Sequence, residues 1–319
     1  MTEEQTLIEA LRPYDRPLSA DEPMAEAGRT VLLRDFITML AHEAGAQTGA
    51  DIEDVHEMRV STRRMRSALR LLEPYFPGKT ARKFRLALGE FAAVLGDIRD
   101  RDVLLANMTR YLATLPEAAQ AELRQIMSVI EAERDTERTD LHKLIGKRRY
   151  ARFVEQFSEF LTEPAAAMKP HETGPVAPTL VRHILPTVIY EHLGIVRAYD
   201  SVIATADAPT LHQLRIEFKR LRYAIGIFEE VLGSGVKGFL KDLKAIQDHL
   251  GRMQDIATAH LLLEPVAAKL DAPQLEALNA YFLSIDTELA ELMDQFPALW
   301  KKFEGKTIQK QLTSAIAVL

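Results

Sequence analysis

The stretch HEMRVSTRRMRSALR, from His56 to Arg70, occurs again as HQLRIEFKRLRYAIG from His212 to Gly226, 156 residues later. Aligned without a gap, His56 falls on His212, Arg59 on Arg215, Arg63 on Lys219, Arg64 on Arg220 and Arg66 on Arg222. Met58, Val60 and Met65 fall on Leu214, Ile216 and Leu221. The apolar positions change identity while the cations are kept. A repeat that served packing alone needs only apolar character, so the retained cations call for a functional account.

Both copies read as helices. At about 100° per residue, with His56 at 0°, Arg59, Arg63, Arg66 and Arg70 share its side of the wheel within an arc of roughly 80°. Met58, Met65, Leu69 and Leu72 lie opposite and form a core face. His212, Arg215, Lys219 and Arg222 occupy the same arc in the second copy, with Gly226 where Arg70 stands. Like charges at i, i+3 and i, i+4 repel by roughly 0.2–0.5 kcal/mol per pair, and neither arc carries an acid. Val60, Leu71, Ile216 and Ile227 border the arcs on one side, Val55 and Leu211 on the other. A cationic stripe between apolar borders predicts a crevice that holds a multivalent anion. Arg64 and Arg220 lie off the stripe, and Glu217, one turn before Arg220, makes a structural ion pair the competing reading there.

Other basic groups widen the candidate site. Lys237, Lys241 and Lys244 recur at i, i+4, i+7, and Arg82 and Arg85 hold comparable ground in the first half. Lys147, Arg148 and Arg149 form a further cluster, with Arg134 and Arg138 upstream. For all of these a solvated surface role weighs equally. Arg99 and Arg101 alternate with Asp97, Asp100 and Asp102 and read as structural salt bridges.

The chain of 319 residues has a formal net charge of −6, yet His56 to Arg70 holds five Arg against one Glu. The basic character is therefore local. There is no cysteine, which excludes disulfides and thiolate chemistry and fits a reducing compartment. The start MTEEQTLIEALRPYD lacks the pattern of a signal peptide, and no apolar run is long enough to span a membrane. A cytoplasmic protein without membrane association is expected.

No run alternates with period two, and helical spacing recurs throughout. The prediction is an all-α fold of two helical bundles from an internal duplication, related by pseudo-two-fold symmetry. Residues 1–23, with three prolines, read as a loosely held N-terminal extension. The first half covers 24–162, a Pro-rich linker 163–178, and the second half 179–319. The basic helix is expected to end near Pro74, a third helix to run from about Thr80 to Leu95, and Gly96 and Asp97 to open a fourth. In the second half a cap at Asp207, a helix ending at Leu250 and three further helices are expected. Phe84, Leu88, Leu95 and Gly96 match Phe239, Leu243, Leu250 and Gly251 at a spacing of 155.

The doubled pattern of His, two residues, Arg, three residues, Arg or Lys, Arg, one residue, Arg resembles the CHAD family, the histidine α-helical domains. The segments GAQTGADIEDVHEMRVSTRRMRSALRLLEPYF, LGDIRDRDVLL and LHQLRIEFKRLRYAIGIFEEVLG look like its signature stretches, and the resemblance covers about residues 24–319. It implies paired helical bundles around a basic central groove or pore that binds inorganic polyphosphate, in the cytoplasm and in association with polyphosphate granules. The matching positions are His56, Arg59, Arg63, Arg64 and Arg66, then His212, Arg215, Lys219, Arg220, Arg222 and Tyr223. Many relatives carry a triphosphate-tunnel (CYTH) domain, marked by Glu-x-Glu-x-Lys on a strand. Neither that element nor spare strands are found, so the chain looks like the binding domain alone. Gly226 in place of the fifth cation, and Arg252 where Asp97 stands in the first copy, set the halves apart.

Rival readings stand beside this one. His56 or His212 could serve as a general acid, but no carboxylate cluster, phosphate loop or nucleophile motif accompanies them, so no catalytic residue and no cofactor are assigned. No metal site is assigned either, since Asp54 and Glu57 point away from His56 on the wheel. Nucleic acid is disfavoured by the acidic balance and by the lack of stacking aromatics among the cations. An adaptor holding an acidic protein segment, or an enzyme that processes phosphate chains, remains open.

Overall fold

The computed structural model describes residues 3–49, 51–76, 78–163 and 178–319. The predicted linker at 163–178 lies almost wholly outside the described residues. Among those described, twelve α-helices form the fold, and the only extended pairing is an isolated bridge between Pro23 and Leu180. The all-α expectation holds.

The helices of the first half are α1 (Glu3–Leu11), α2 (Met24–Ala41), α3 (Glu43–Thr48), α4 (Ile52–Leu71), α5 (Gly78–Leu112), α6 (Ala121–Ile145) and α7 (Arg148–Thr162). The second half has α8 (Val181–Arg197), α9 (Ala208–Gly226), α10 (Gly235–Ala267), α11 (Ala272–Phe303) and α12 (Lys306–Ile316). The basic stretches are α4 and α9. Asp51 caps α4 by accepting from the Glu53 N–H, and Asp207 caps α9 by accepting from the Thr210 N–H. These acids satisfy backbone donors that the first helical turn leaves free. Gly49, with φ of 67°, takes the left-handed conformation that closes α3 just before α4 begins.

Where α4 crosses α2, Gly28 permits close approach: a Cβ there would sit 2.5 Å from Leu72 Cδ1 and 3.0 Å from Phe76 Cζ. The apolar faces predicted for α4 are buried, with Met58, Met65, Leu69 and Leu72 all at 0% exposure. α5 and α7 supply Phe84, Phe91, Phe153, Phe157 and Phe160: Phe84 meets Phe153 and Phe157 edge to face, and Phe153, Phe157 and Phe160 stack along α7.

Three expectations need correction. The N-terminal residues are held, not loose: Ile8 and Leu11 of α1 join the main core, and the segment before α2 pairs with the start of α8 through Met24 N to Thr179 O and Val181 N to Glu22 O. The break expected at Gly96 is absent, and α5 runs unbroken for 35 residues; α10 likewise runs through Gly251 for 33. A glycine in a helix interior weakens it by only about 1 kcal/mol relative to alanine. Continuous burial of Leu88, Phe91, Leu95, Ile98, Leu104 and Met108 along one side outweighs that. After α10 two helices follow, not three.

The unbroken α5 and α10 shape the molecule. Their C-terminal ends extend past the main core and, with α6 and α11, enclose a second core around Met108, Ile126, Leu263, Leu278 and Tyr281. Neither core follows the halves of the sequence, since each draws residues from both. In the main body α4 packs on α9 and α5 on α10, so the two basic helices meet.

Candidate anion site between the two basic helices

On α4 the side chains of His56, Arg59, Arg63 and Arg66 are half-buried and Arg70 is exposed; on α9 those of His212, Arg215, Lys219 and Arg222 are half-buried. Ion-pair geometry separates the on-stripe from the off-stripe cations. Arg64 donates through Nε to the buried Asp35 at 2.9 Å, and Arg220 pairs with Glu217 at 2.6 Å. On the stripes, Arg59 alone reaches a carboxylate, Asp100 of α5, at 3.4 Å. The Nε atoms of Arg63, Arg66, Arg215 and Arg222, the Tyr223 hydroxyl and His56 Nδ1 are buried without a hydrogen-bond partner among the described residues.

The stripes act on each other. Lys219 has its pKa lowered from 10.5 to about 7, first by burial and then by the charges of Arg215, Arg63, Arg59 and Arg222. Two of those four stand on α4. Arg215 is lowered by burial and by Arg63 and Arg59, against the opposing pull of Asp255. Tyr223 joins the helices by position, with Arg63 5.8 Å and Arg222 5.6 Å from its ring centroid. His56 is also lowered, by burial and then by Arg99, and so holds less positive charge than a free imidazole near neutrality.

A cleft of about 480 Å³ opens beside this meeting point, lined by the cations Arg63, Arg64, Arg222, Lys237, Lys241 and Lys244, by Tyr223 and by one acid, Glu229, with Val60, Ile227 and Leu240 as apolar walls. It shares Arg64, Ile227 and Lys237 with a neighbouring cleft of about 490 Å³, where Arg34 pairs with Glu230 at 2.8 Å. Of the stripe cations, Arg63 and Arg222 line the cleft of about 480 Å³. His56, Arg59, Arg66, Arg215 and Lys219 are not among its lining residues. Arg220 turns to Glu217, Arg70 stands beside Arg66 at the far end of α4, and His212 donates to Gln254 and lines a smaller, mostly apolar cleft.

Sequence reasoning missed two acids and one cation. Asp100 of α5 and Asp255 of α10, equivalent at the spacing of 155, lie among the stripe cations, and burial raises both carboxyls. The acids of α4 and α9 lie off the stripes; the neighbouring helices bring these two to them. Arg99, read as part of a salt-bridge run, acts on His56 and Arg59. The salt-bridge reading does fit Arg101, which reaches Glu133 at 3.4 Å and Glu137 at 3.7 Å on α6. Arg134 belongs to the same structural network, 3.6 Å from Asp102. The segment LGDIRDRDVLL held the signal, because Arg99 and Asp100 face α4 while Arg101 and Asp102 face α6.

Glu57, set away from His56 on an ideal wheel, comes with Glu53 and His56 into a group whose ligand atoms all lie within 4.8 Å of one another. All three belong to one helix, and among the described residues no further His, Asp or Glu joins them in the shell that a bound divalent ion needs.

The CHAD domain profile matches residues 30–264. The chain belongs to the CHAD domain family. Two uncharacterized proteins of Mycobacterium tuberculosis strains are 30% identical over 233 residues, covering 69% of this chain and 42% of theirs. The match thus spans less than half the length of these relatives. Among solved structures, the CHAD domain from the plant Ricinus communis is similar with a TM-score of 0.67 and 23% identity, covering 96% of this chain and 95% of that one. PptA from Streptomyces chartreusis is similar at 0.63 and 13%, covering 88% and 100%. Both structures speak for the fold. No helix among the described residues is long and apolar enough to cross a membrane.

Proposed function

We propose that this CHAD protein binds inorganic polyphosphate, without catalysing its turnover, in a groove walled by α4 and α9. The observation that carries this is the row of half-buried guanidinium groups on two facing helices with few acids to answer them. Such groups are unfavourable in a crevice unless an anion meets them, and an anion that bridges both helices has to be multivalent. A chain of phosphates offers an acceptor to each guanidinium in turn.

Single-stranded nucleic acid fits less well. Base stacking needs open aromatic faces, and Tyr223, the aromatic among the stripe cations, already has two arginines over its ring. An acidic protein segment shares the charge but brings a bulky backbone to a narrow stripe. No nucleophile stands among the cations. Asp100 and Asp255 act to anchor Arg59 and Arg215. The protein is then expected with polyphosphate granules in the cytoplasm.

Titration with long-chain polyphosphate over a salt series tests this. Affinity should fall steeply as salt rises, Arg59→Glu with Arg215→Glu should abolish binding, and single-stranded DNA of matched charge should bind more weakly. Equal binding of the DNA, or a double variant that still binds, removes the reading.

A further inference from the structure

A second basic cleft lies on the outer side of α5, away from α9. It has a volume of about 500 Å³ and is lined by Lys79, Arg82 and Lys83 of α5 and by Arg149 and Arg152 of α7. No carboxylate lines it. Nearby, Glu90 pairs with Arg149 at 2.7 Å, and Lys83 donates to the neutral amide oxygen of Gln156. Lys79, Arg82 and Arg152 have no carboxylate in ion-pair range among the described residues. Its apolar lining is Phe84 and Phe153, which belong to the core, with Ala87 and the exposed Leu86. The charged groups that line it are all cations, spaced i, i+3 and i, i+4 on α5 and i, i+3 on α7, where they repel one another.

A row of cations, interrupted by one acid, runs from this cleft to the proposed groove. Arg66, at the end of the α4 stripe, lies against Gly89 of α5, where an added Cβ would be 3.9 Å from its guanidinium. Arg66 feels the charges of Arg70 and Arg85. Arg82 stands one helical turn before Arg85 on α5 and opens the outer cleft. The acid along this path is Glu73, which pairs with Arg85 at 3.0 Å.

We propose that the α5–α7 cleft is a second anion-binding surface, which takes the length of phosphate chain that leaves the α4–α9 groove past Arg66 and Arg85. It rests on the polyphosphate reading of that groove. Short oligomers fill the groove alone, and long chains round α5 and engage both surfaces. The outer surface therefore makes the protein select for chain length.

The test compares tripolyphosphate with long-chain polyphosphate on the full chain. Lys79, Arg82 and Arg152 are all exposed, so Lys79→Ala, Arg82→Ala and Arg152→Ala can be combined without touching the core. The triple variant should bind long chains about tenfold more weakly, with a salt dependence shallower by about two units of logarithmic slope. Tripolyphosphate affinity should not change. Unchanged long-chain affinity and slope, with Arg59→Glu and Arg215→Glu still abolishing binding, would overturn the outer surface and leave the groove standing. Equal weakening of short and long chains would also overturn it, by showing that the three cations act only through the overall field.

Discussion

Arg63 and Lys219 hold the same place in the two copies of the basic helix, and they behave differently. Arg63 presents a guanidinium whose Nε is buried without a partner among the described residues. Lys219 is buried among Arg215, Arg63, Arg59 and Arg222 and titrates at about 7. The histidines diverge as well: His212 is fixed by Gln254, whereas Nδ1 of His56 has no partner among the described residues. Off the stripe, Arg64 neutralises an Asp35 that is 6% exposed, while Arg220 pairs with Glu217 on its own helix. One motif thus makes a wall of arginines on α4 and a wall on α9 whose charge depends on pH through Lys219. A repeat preserves the positions of cations, but the neighbours of each copy decide whether they stay charged.

The sharpest way to break this comparison is to reverse each charge. Arg63→Glu should weaken polyphosphate binding on the order of a hundredfold at both pH 6 and pH 8.5. Lys219→Glu should match it at pH 6 and cost only about tenfold at pH 8.5, where the native lysine is mostly neutral. Equal losses at both pH values would mean that Lys219 is an ordinary charged lysine.

The pH profile of the unaltered protein follows from the same group. With a folded pKa of about 7 against an ordinary 10.5, Lys219 binds fewer protons in the free folded protein than when unfolded across that window. Stability therefore rises with pH between about 7 and 10, and the penalty of the buried charge is full below 7. An anion favours the protonated form, so affinity should fall severalfold from pH 6.5 to 9 with proton uptake on binding. Calorimetry in buffers of different ionisation enthalpy reads that uptake. Lys219→Arg should flatten the profile.

Stability separates the two off-stripe arginines. Arg64→Met leaves Asp35 buried without its partner and should lower stability by about 1–2 kcal/mol, discounted because Arg64 is partly exposed. Arg220→Met should lower it by about 0.5 kcal/mol or less. Burial already raises the Asp35 pKa from 3.8 to about 6. The folded state thus binds more protons than the unfolded between those values, and the stability this carboxyl supports declines as pH climbs through them. Arg64→Met should carry that decline to higher pH, as thermal melts at pH 5 and pH 7.5 would register.

The smallest effect is expected at the histidines. Burial and Arg99 lower His56 below its ordinary 6.5, so it offers a hydrogen bond more than a charge. His56→Gln should change affinity by about twofold or less between pH 6 and 8 and leave the Lys219 profile in place. A profile flattened by His56→Gln would move the titration from Lys219 to the histidine.

Much of this was legible in the residues. The period of the apolar positions marked the core faces of α4 and α9, and Asp51 and Asp207 announced their starts. The stripe could be drawn because helical geometry alone places Arg59, Arg63 and Arg66 on one side. What the sequence hid depends on contacts between distant segments. Gly96 and Gly251 looked like ends because a local glycine signal cannot register the packing that carries α5 and α10 onward. Asp100 looked like a salt-bridge partner of its neighbours because a run of alternating charge does not reveal which helix each side chain faces, and Asp255 carried no signal of its own. The pKa of Lys219 could not be read at all, since half the charges that set it stand on α4.

The claim that α4 and α9 are two walls of one site is tested most directly by a crystal structure with tripolyphosphate at pH 6.5. The account predicts one phosphate chain whose oxygens lie within hydrogen-bonding distance of Arg59 or Arg63 on α4 and of Arg215 or Lys219 on α9. An anion held by one helix alone, or bound elsewhere with both stripes empty, would contradict it.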